Sequence, residues 1–196
     1  MPKKISNMDV IESYHLKTLL PELASLGWRT FTQGTPGGPR PSNIQTYEIC
    51  FIDKGSVEWW IDDKLYEAAP KSLFINRPGE WHGGESGLVQ PCEMYWLQFY
   101  VPPKVNLPGL DKQTQLELRD AFENMQHRSF AASVSIKLFF DQLMNEQRQP
   151  QAYSLTVSRA AFHQLLITTV RDHTRKESFQ YSEGIAKALA WINENL

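Results

Sequence analysis

One region of the chain holds a carboxylate and an imidazole that could perform chemistry together. Glu48 and His82 lie among strand-forming residues, and Cys50 follows Glu48 on the same strand. A metal site in a barrel usually needs at least three protein ligands, and the sequence has no His-x-His pair. We therefore expect no metal and no cofactor. Glu48 and His82 could still form an acid–base pair tuned by burial, as in a small lyase or isomerase.

The composition argues against several classes of protein. Of the 196 residues, 41% are hydrophobic and 21% are charged, which is ordinary for a globular domain. The formal net charge is −2 and basic residues are scattered, so this chain alone is not expected to bind nucleic acid. It has no apolar run long enough for a membrane span or a signal core, and the cytoplasm is the expected location. Cys50 and Cys92 are expected to be buried, reduced thiols.

The first half of the chain is expected to form two short helices, an arm and a barrel. Apolar residues in segment 9–26 recur at roughly helical spacing and Pro21 divides them, which favours two helices. Segment 35–41 is rich in proline and glycine, so we expect a loop or an arm there. From Tyr47 to Val101, short runs of strand formers alternate with turn residues, a pattern typical of a sandwich or barrel.

The second half is expected to be helical. Apolar stripes predict two helices, and a third is expected from about Ser154 to His173. These stripes are more often core than interface, but three helices on one face of a barrel cannot bury every apolar side chain. Candidates for a two-fold pairing seam are Leu155, Phe162 and Leu166, and we expect a homodimer.

The order of elements in the middle of the chain resembles the sensing barrel of AraC/XylS-type transcription regulators. The run YEICFIDKGSVEWWIDDKLYEAAPKSLFINRPGEWHGGE contains a strand, the turn Lys54–Gly55, a hairpin, a proline turn and the motif Pro78-Gly79-Glu80-Trp81-His82. The next strand, closed by Pro102, also fits, so the resemblance covers about residues 40–102. It implies an α+β fold in which a double-stranded β-helix, a jelly-roll barrel of the cupin type, precedes a helical dimerisation region.

The resemblance also implies which residues bind an effector. Arg40 and His82 fall on family positions that contact a sugar, and an arginine fork suits a hydroxyl pair or a carboxylate. Gln98 stands where the family has a sugar-stacking tryptophan, while Trp96, on the same strand face, could supply a shifted platform. Glu48 replaces an apolar pocket residue and needs a partner if it faces inward. Plain structural interpretations remain open: an exposed Arg40, a locally satisfied His82, a space-filling Trp96 and an outward Glu48.

Three regions are expected along the chain. Residues 1–105 would form the barrel with its N-terminal helical segment and arm, and residues 106–180 the helical dimerisation region. Residues 181–196 resemble the first helix of the family's DNA-binding domain, so the sequence is expected to be a piece of a longer protein that reaches DNA only through that domain. The resemblance implies regulation by a small polar effector, with a sugar or sugar acid favoured. The rivals are the small enzyme already described and a structural dimer whose barrel is filled by side chains.

Overall fold

The structure, a computed structural model, describes residues 8–12, 19–38, 40–41, 45–101 and 105–178. The strands within these residues are β1 (Met8–Glu12), β2 (Leu23–Phe31), β3 (Thr35–Pro36), β4 (Arg40–Pro41), β5 (Tyr47–Gly55), β6 (Val57–Ile61), β7 (Lys64–Ala68), β8 (Ser72–Asn76), β9 (Trp81–Gly84), β10 (Leu88–Val89), β11 (Cys92–Phe99) and β12 (Ser129–Ala131). The helices are α1 (Lys112–Glu123), α2 (Ser135–Arg148) and α3 (Ser154–Ser178).

The described strands form two facing antiparallel sheets. The larger sheet has the order β1-β2-β11-β5-β8-β12 and the smaller has the order β4-β9-β6-β7, while β3 pairs with β10. One apolar cluster lies between the two sheets, and a second lies between the larger sheet and the helices. This arrangement confirms the expected α+β fold, a jelly-roll barrel followed by helices.

The larger sheet is buried on both faces because successive residues of a strand point to opposite sides. On β5, Ile49 and Phe51 pack towards the helices, whereas Cys50 and Ile52 pack towards the smaller sheet. On β11, Leu97 packs towards the helices in the same way. Both strands therefore connect the barrel interior directly to the helical layer.

The prediction of two N-terminal helices is wrong where the structure describes the segment. Residues 8–12 and 23–31 are strands, and residues 13–18 lie outside the described residues. The pairing of β2 with β11 shifts by one residue at Ala24, since Ser25 lies opposite Gln98 but Leu23 lies opposite Phe99. This bulge places Leu23 and Leu26 in the same apolar cluster, so two strand residues three apart imitate helical spacing.

The expected arm is paired rather than free at two points. Thr35–Pro36 pairs with Leu88–Val89, and Arg40–Pro41 pairs with Trp81 and His82 on β9. The peptide N–H of Gly37 also donates to the carbonyl of Gly87 at 2.8 Å. The segment thus extends the strands of the barrel wall, and its backbone reaches the strand that carries His82.

The helical predictions agree with the structure as far as it describes them. The expected apolar stripes fall on α1 and α2, and α3 begins at Ser154 as expected. The helix expected within residues 181–196 lies outside the described residues, and the three proposed regions of the chain remain predictions. Strand β12, between α1 and α2, was not foreseen; it adds the edge of the larger sheet beside β8.

Candidate functional site

Four polar side chains lie in one row across the barrel-facing side of the larger sheet. Ser25 on β2 lies opposite Gln98 on β11, Gln98 lies opposite Glu48 on β5, and Glu48 lies opposite Asn76 on β8. Residues directly opposite each other on antiparallel strands share a face. We call Ser25, Gln98, Glu48 and Asn76 the polar row. The next row, one step deeper along the strands, is Gly27, Trp96, Cys50 and Phe74.

Glu48 is the centre of the polar row. It is buried, and its two carboxylate oxygens accept hydrogen bonds from both amide neighbours: Asn76 Nδ2 donates to Oε2 at 2.7 Å and Gln98 Nε2 donates to Oε1 at 3.1 Å. A buried carboxylate is tolerated when it is hydrogen-bonded in this way. Glu48 therefore faces inward, and the alternative of an outward surface residue is wrong.

His82 reaches the polar row from the opposite sheet. It is buried on β9, and its Nε2 lies 3.7 Å from Glu48 Oε2. Its Nδ1 lies 3.4 Å from the carbonyl oxygen of Glu80, and its ring stacks on Trp59 with centroids 5.9 Å apart. His82 therefore contacts the local backbone and also lies beside Glu48 in the site. The sequence analysis had treated these two roles of His82 as alternatives.

The backbone of Arg40 on β4 lies next to the backbone of His82 on β9. The register of β4 on β9 pairs Arg40 with His82 and Pro41 with Trp81. Two residues that are distant in sequence, both expected at the site, therefore lie on adjacent strands. The side chain of Arg40 is outside the described part of the structure, so its role stays a prediction.

Trp96 packs against β2 at Gly27, where the absence of a side chain leaves room for the indole ring. Its indole lies directly over Gly27, where an added Cβ would be 2.2 Å from Cζ2 of the ring. The indole Nε1 donates to Ser25 Oγ at 3.2 Å. Trp96 remains half-buried. The sequence analysis indicated Trp96 but not Ser25, which falls in the segment 9–26 that was interpreted as helical, and not Gly27, which follows that segment directly.

Two buried polar atoms at the site have no hydrogen-bond partner among the described residues: Asn76 Oδ1, an acceptor, and Trp59 Nε1, a donor. The orientation of the Asn76 amide is set by Glu48, since the reverse orientation would turn its oxygen towards the carboxylate. Buried polar groups nearly always have partners in folded proteins. The sequence analysis named neither residue, because each belongs to the site only through its neighbour on another strand.

The site does not resemble a metal centre in the residues that the structure describes. Within that part of the chain, no three His, Cys, Asp or Glu side chains are grouped closely enough to hold a metal ion. Cys50 and Cys92 are both buried, as expected, and no disulfide bond joins them. Burial raises the pKa of the Cys92 thiol to about 11, so it is protonated at neutral pH.

The three residues proposed for a dimer seam lie in different environments. Phe162 and Leu166 are fully buried in the core between the larger sheet and the helices, and Phe162 packs edge-on against Phe99. Leu155, near the start of α3, is 44% exposed. Of the three, only Leu155 offers apolar surface to a second copy of this chain.

No helix that the structure describes is long and apolar enough to cross a membrane.

The fold is a cupin-type barrel with a buried polar row on its interior side and helices packed on one face. A family model for the AraC-like ligand binding domain matches residues 38–154, more than half of the chain. The chain belongs to this family, whose members are the ligand-binding domains of transcription regulators.

Several solved structures are similar to this chain. The AraC-like transcriptional activator CuxR matches with a TM-score of 0.53 and 10% identity over 86% of this chain, which spans 62% of the CuxR chain. A cupin protein from Bacteroides fragilis has a TM-score of 0.40 and 15% identity, covering 54% of this chain and 86% of its own. A predicted oxalate decarboxylase from Thermotoga maritima has a TM-score of 0.39 and 14% identity, covering 51% and 92%. No curated protein matches the sequence.

Proposed function

We propose that this domain binds a small polar effector, a sugar or sugar acid by preference, between the polar row and the strand pair β4–β9. The observation that carries this proposal is the buried polar row with Asn76 Oδ1 and Trp59 Nε1 unpaired among the described residues. A barrel filled only for stability would gain more from apolar side chains at these positions, since an unpaired buried polar group costs about 1–3 kcal/mol.

Hydroxyl groups suit this site better than other polar groups. Glu48 and Asn76 Oδ1 present acceptors, while Trp59 Nε1 presents a donor at the next row. A hydroxyl both donates and accepts, so adjacent hydroxyls of one sugar could satisfy both kinds of group. An acid group on the effector would be repelled by Glu48 and would bind better near the Arg40 end of the site.

In this proposal, the arm and a separate DNA-binding domain together convert effector binding into regulation. Effector binding would order the segment around Arg40, and the altered arm would change the placement of DNA-binding domains in a longer protein. This requires the effector to bind one arm state more tightly than the other. We further propose that the protein acts as a cytoplasmic homodimer paired through its helices. Leu155 is the exposed member of the proposed seam, and Leu138 on α2 is 64% exposed.

A small enzyme of the lyase or isomerase type is the second candidate. The 3.7 Å approach of His82 Nε2 to Glu48 Oε2 favours it, because an acid–base pair needs such proximity. Against it, both oxygens of Glu48 already accept hydrogen bonds from fixed amides. Turnover of a bound compound would favour the enzyme, and binding without turnover would favour the regulator.

The test is a thermal-shift screen of the chain against sugars, sugar acids and aromatic acids. A ligand at about one hundred times its dissociation constant should stabilise the fold by roughly 2.7 kcal/mol. We expect a hit among the sugars or sugar acids that is lost in Arg40→Ala and His82→Ala. Arg171→Ala, which removes an exposed arginine from α3, is the matched control and should keep the hit. No hit across the library, or a hit unaffected by both site variants, would contradict the proposal.

A further inference from the structure

The turn between β8 and β9 carries two residues of the effector site on its flanks. Asn76 ends β8 and His82 follows the first residue of β9. Within the turn, the peptide N–H of Arg77 donates to Glu80 Oε2 at 2.7 Å, and Gly79 adopts the left-handed φ of +79°. Any shift of Asn76 or His82 therefore moves this turn.

The turn is held from outside the barrel by the segment that follows α1. Arg128 Nη1 donates to Glu80 Oε2 at 3.1 Å, and Arg128 Nη2 donates to Glu80 Oε1. Arg77 Nη2 donates to the carbonyl of Met125 at 2.6 Å, and the peptide N–H of Ile75 donates to the carbonyl of Arg128 at 2.9 Å. The Arg128 side chain is only 9% exposed. A bidentate pair that is largely buried fixes direction as well as distance.

The same segment is fixed to the last turns of α3. The peptide N–H of His127 donates to His173 Nε2 at 3.2 Å, and the Phe130 ring meets the His173 ring edge-on at 5.3 Å. The peptide N–H of Ser133 donates to Asp172 Oδ2 at 2.7 Å. Adjacent residues of one segment thus contact the effector-site turn on one side and α3 on the other.

We propose that residues 125–133, the relay segment, transmit occupancy of the effector site to the C-terminal end of α3. The proposal rests on the proposed function, since it concerns how binding at that site is communicated. An effector that forms a hydrogen bond with Asn76 or His82 repositions the turn between β8 and β9. The two hydrogen bonds from Arg128 to Glu80 then move the relay segment with the turn. Packed interiors transmit such shifts rather than absorbing them. The affected end of α3 leads into residues 179–196.

A second ion pair between barrel and helices provides a matched control. Arg159 Nε on α3 donates to Glu22 Oε1 at 3.0 Å, and Glu22 is fully buried. This pair holds the first half of α3, before the turns that contact the relay segment. Arg159→Gln and Arg128→Gln therefore remove comparable ion pairs with different connections to the effector site.

The experiment uses Glu48→Gln as the perturbation and needs no effector. Backbone amide shifts of the full 196-residue chain are compared by NMR with and without this substitution. In the otherwise unchanged chain, we expect shifts at the polar row, at Arg128 and at His173. In the Arg128→Gln background the shift at His173 is lost while shifts at the polar row remain. In the Arg159→Gln background the shift at His173 is retained.

Three results would overturn the relay: a shift at His173 that persists in Arg128→Gln, no shift at His173 in the unchanged chain, or equal loss in Arg159→Gln. Thermal melts check that each variant folds. If Arg128→Gln does not fold, Glu80→Gln removes the same ion pair from the turn and is read in the same way. Because no effector is added, failure of the relay leaves effector binding to be judged by the thermal-shift screen alone.

Discussion

The two faces of the larger sheet have different side chains on the same strands. Towards the helices, Ile49 and Leu97 are fully buried apolar residues that pack with aromatic side chains from α1, α2 and α3. Towards the smaller sheet, their neighbours Glu48 and Gln98 are polar and bonded to each other. Because the polar row is confined to one face, we expect substitutions on the helix-facing side to act mainly on stability and substitutions in the polar row to act mainly on ligand binding.

The largest expected effect is on stability, from the helix-facing side. Phe140 is fully buried on α2 and packs against Phe51 and Tyr95 with ring centroids 6.3 and 5.5 Å apart. Phe140→Ala should lower the free energy of unfolding by about 3–5 kcal/mol because it leaves a cavity. Urea denaturation measures the loss. Val134→Ala, just before α2 and 92% exposed, should change stability by no more than about 0.5 kcal/mol. Equal effects of the two variants would contradict this assignment of the core.

A smaller effect is expected where the barrel-facing side is tightly packed. Gly27→Ala would place a Cβ 2.2 Å from the Trp96 ring, so the indole must move and lose its bond to Ser25. We expect a loss of about 1–3 kcal/mol and a changed near-UV circular dichroism signal. At Gly38 a Cβ would meet nothing within 4 Å, so Gly38→Ala is the control. An unchanged spectrum in Gly27→Ala would contradict the placement of Trp96.

The polar row should affect binding more than stability. Glu48→Gln keeps the size of the side chain but replaces one acceptor by a donor that faces the amides of Asn76 and Gln98. Asn76 Oδ1 has no partner among the described residues, so the Asn76 amide can turn to accept from the new donor, and stability should fall by no more than about 1 kcal/mol. The affinity for a compound found by the screen should fall at least about tenfold, equivalent to about 1.4 kcal/mol. Calorimetric titration and urea denaturation of the same sample separate the two. A large loss of stability with unchanged affinity would reverse the proposed division between the faces.

The smallest expected effect is a pH dependence from the helical layer. Burial lowers the pKa of His163 below its usual 6.5, with Glu22 opposing and Arg159 reinforcing the shift. The unfolded chain then binds the proton more readily, so this group costs stability as the pH falls below the ordinary histidine pKa. Urea midpoints at about pH 7.5 and about pH 5.5 should differ less in His163→Gln than in the unchanged chain. An identical difference in both proteins would exclude His163 as a source.

Short runs of strand-forming residues between turns predicted the barrel, and the family resemblance indicated part of its site. The resemblance placed Glu48, His82 and Gln98 at the site, and the structure brings these residues together. Ser25 could not be found in this way because the bulge at Ala24 breaks the alternation. The short strand β12 has only three residues, too few to give a periodic signal.

The sequence also could not show which residues lie opposite each other on paired strands. Asn76 and Trp59 become site residues only through register: Asn76 lies opposite Glu48, and Trp59 stacks on His82 from a neighbouring strand. A single sequence contains the alternation of each strand but not the pairing between strands. The Arg128–Glu80 pair likewise joins residues 48 apart in the sequence, and no local pattern predicts it.

The most direct test of the interior site is to follow the tryptophan indole N–H signals by NMR while a sugar from the screen is added. Trp59 Nε1 faces the barrel and has no partner among the described residues, whereas Trp28 Nε1 donates to Glu93 at 3.3 Å on the helix-facing side. Signals are assigned with Trp59→Phe and Trp28→Phe. Binding in the barrel predicts a shift of the Trp59 signal with Trp28 unchanged. A shift of Trp28 alone would place the ligand elsewhere and contradict the proposed site.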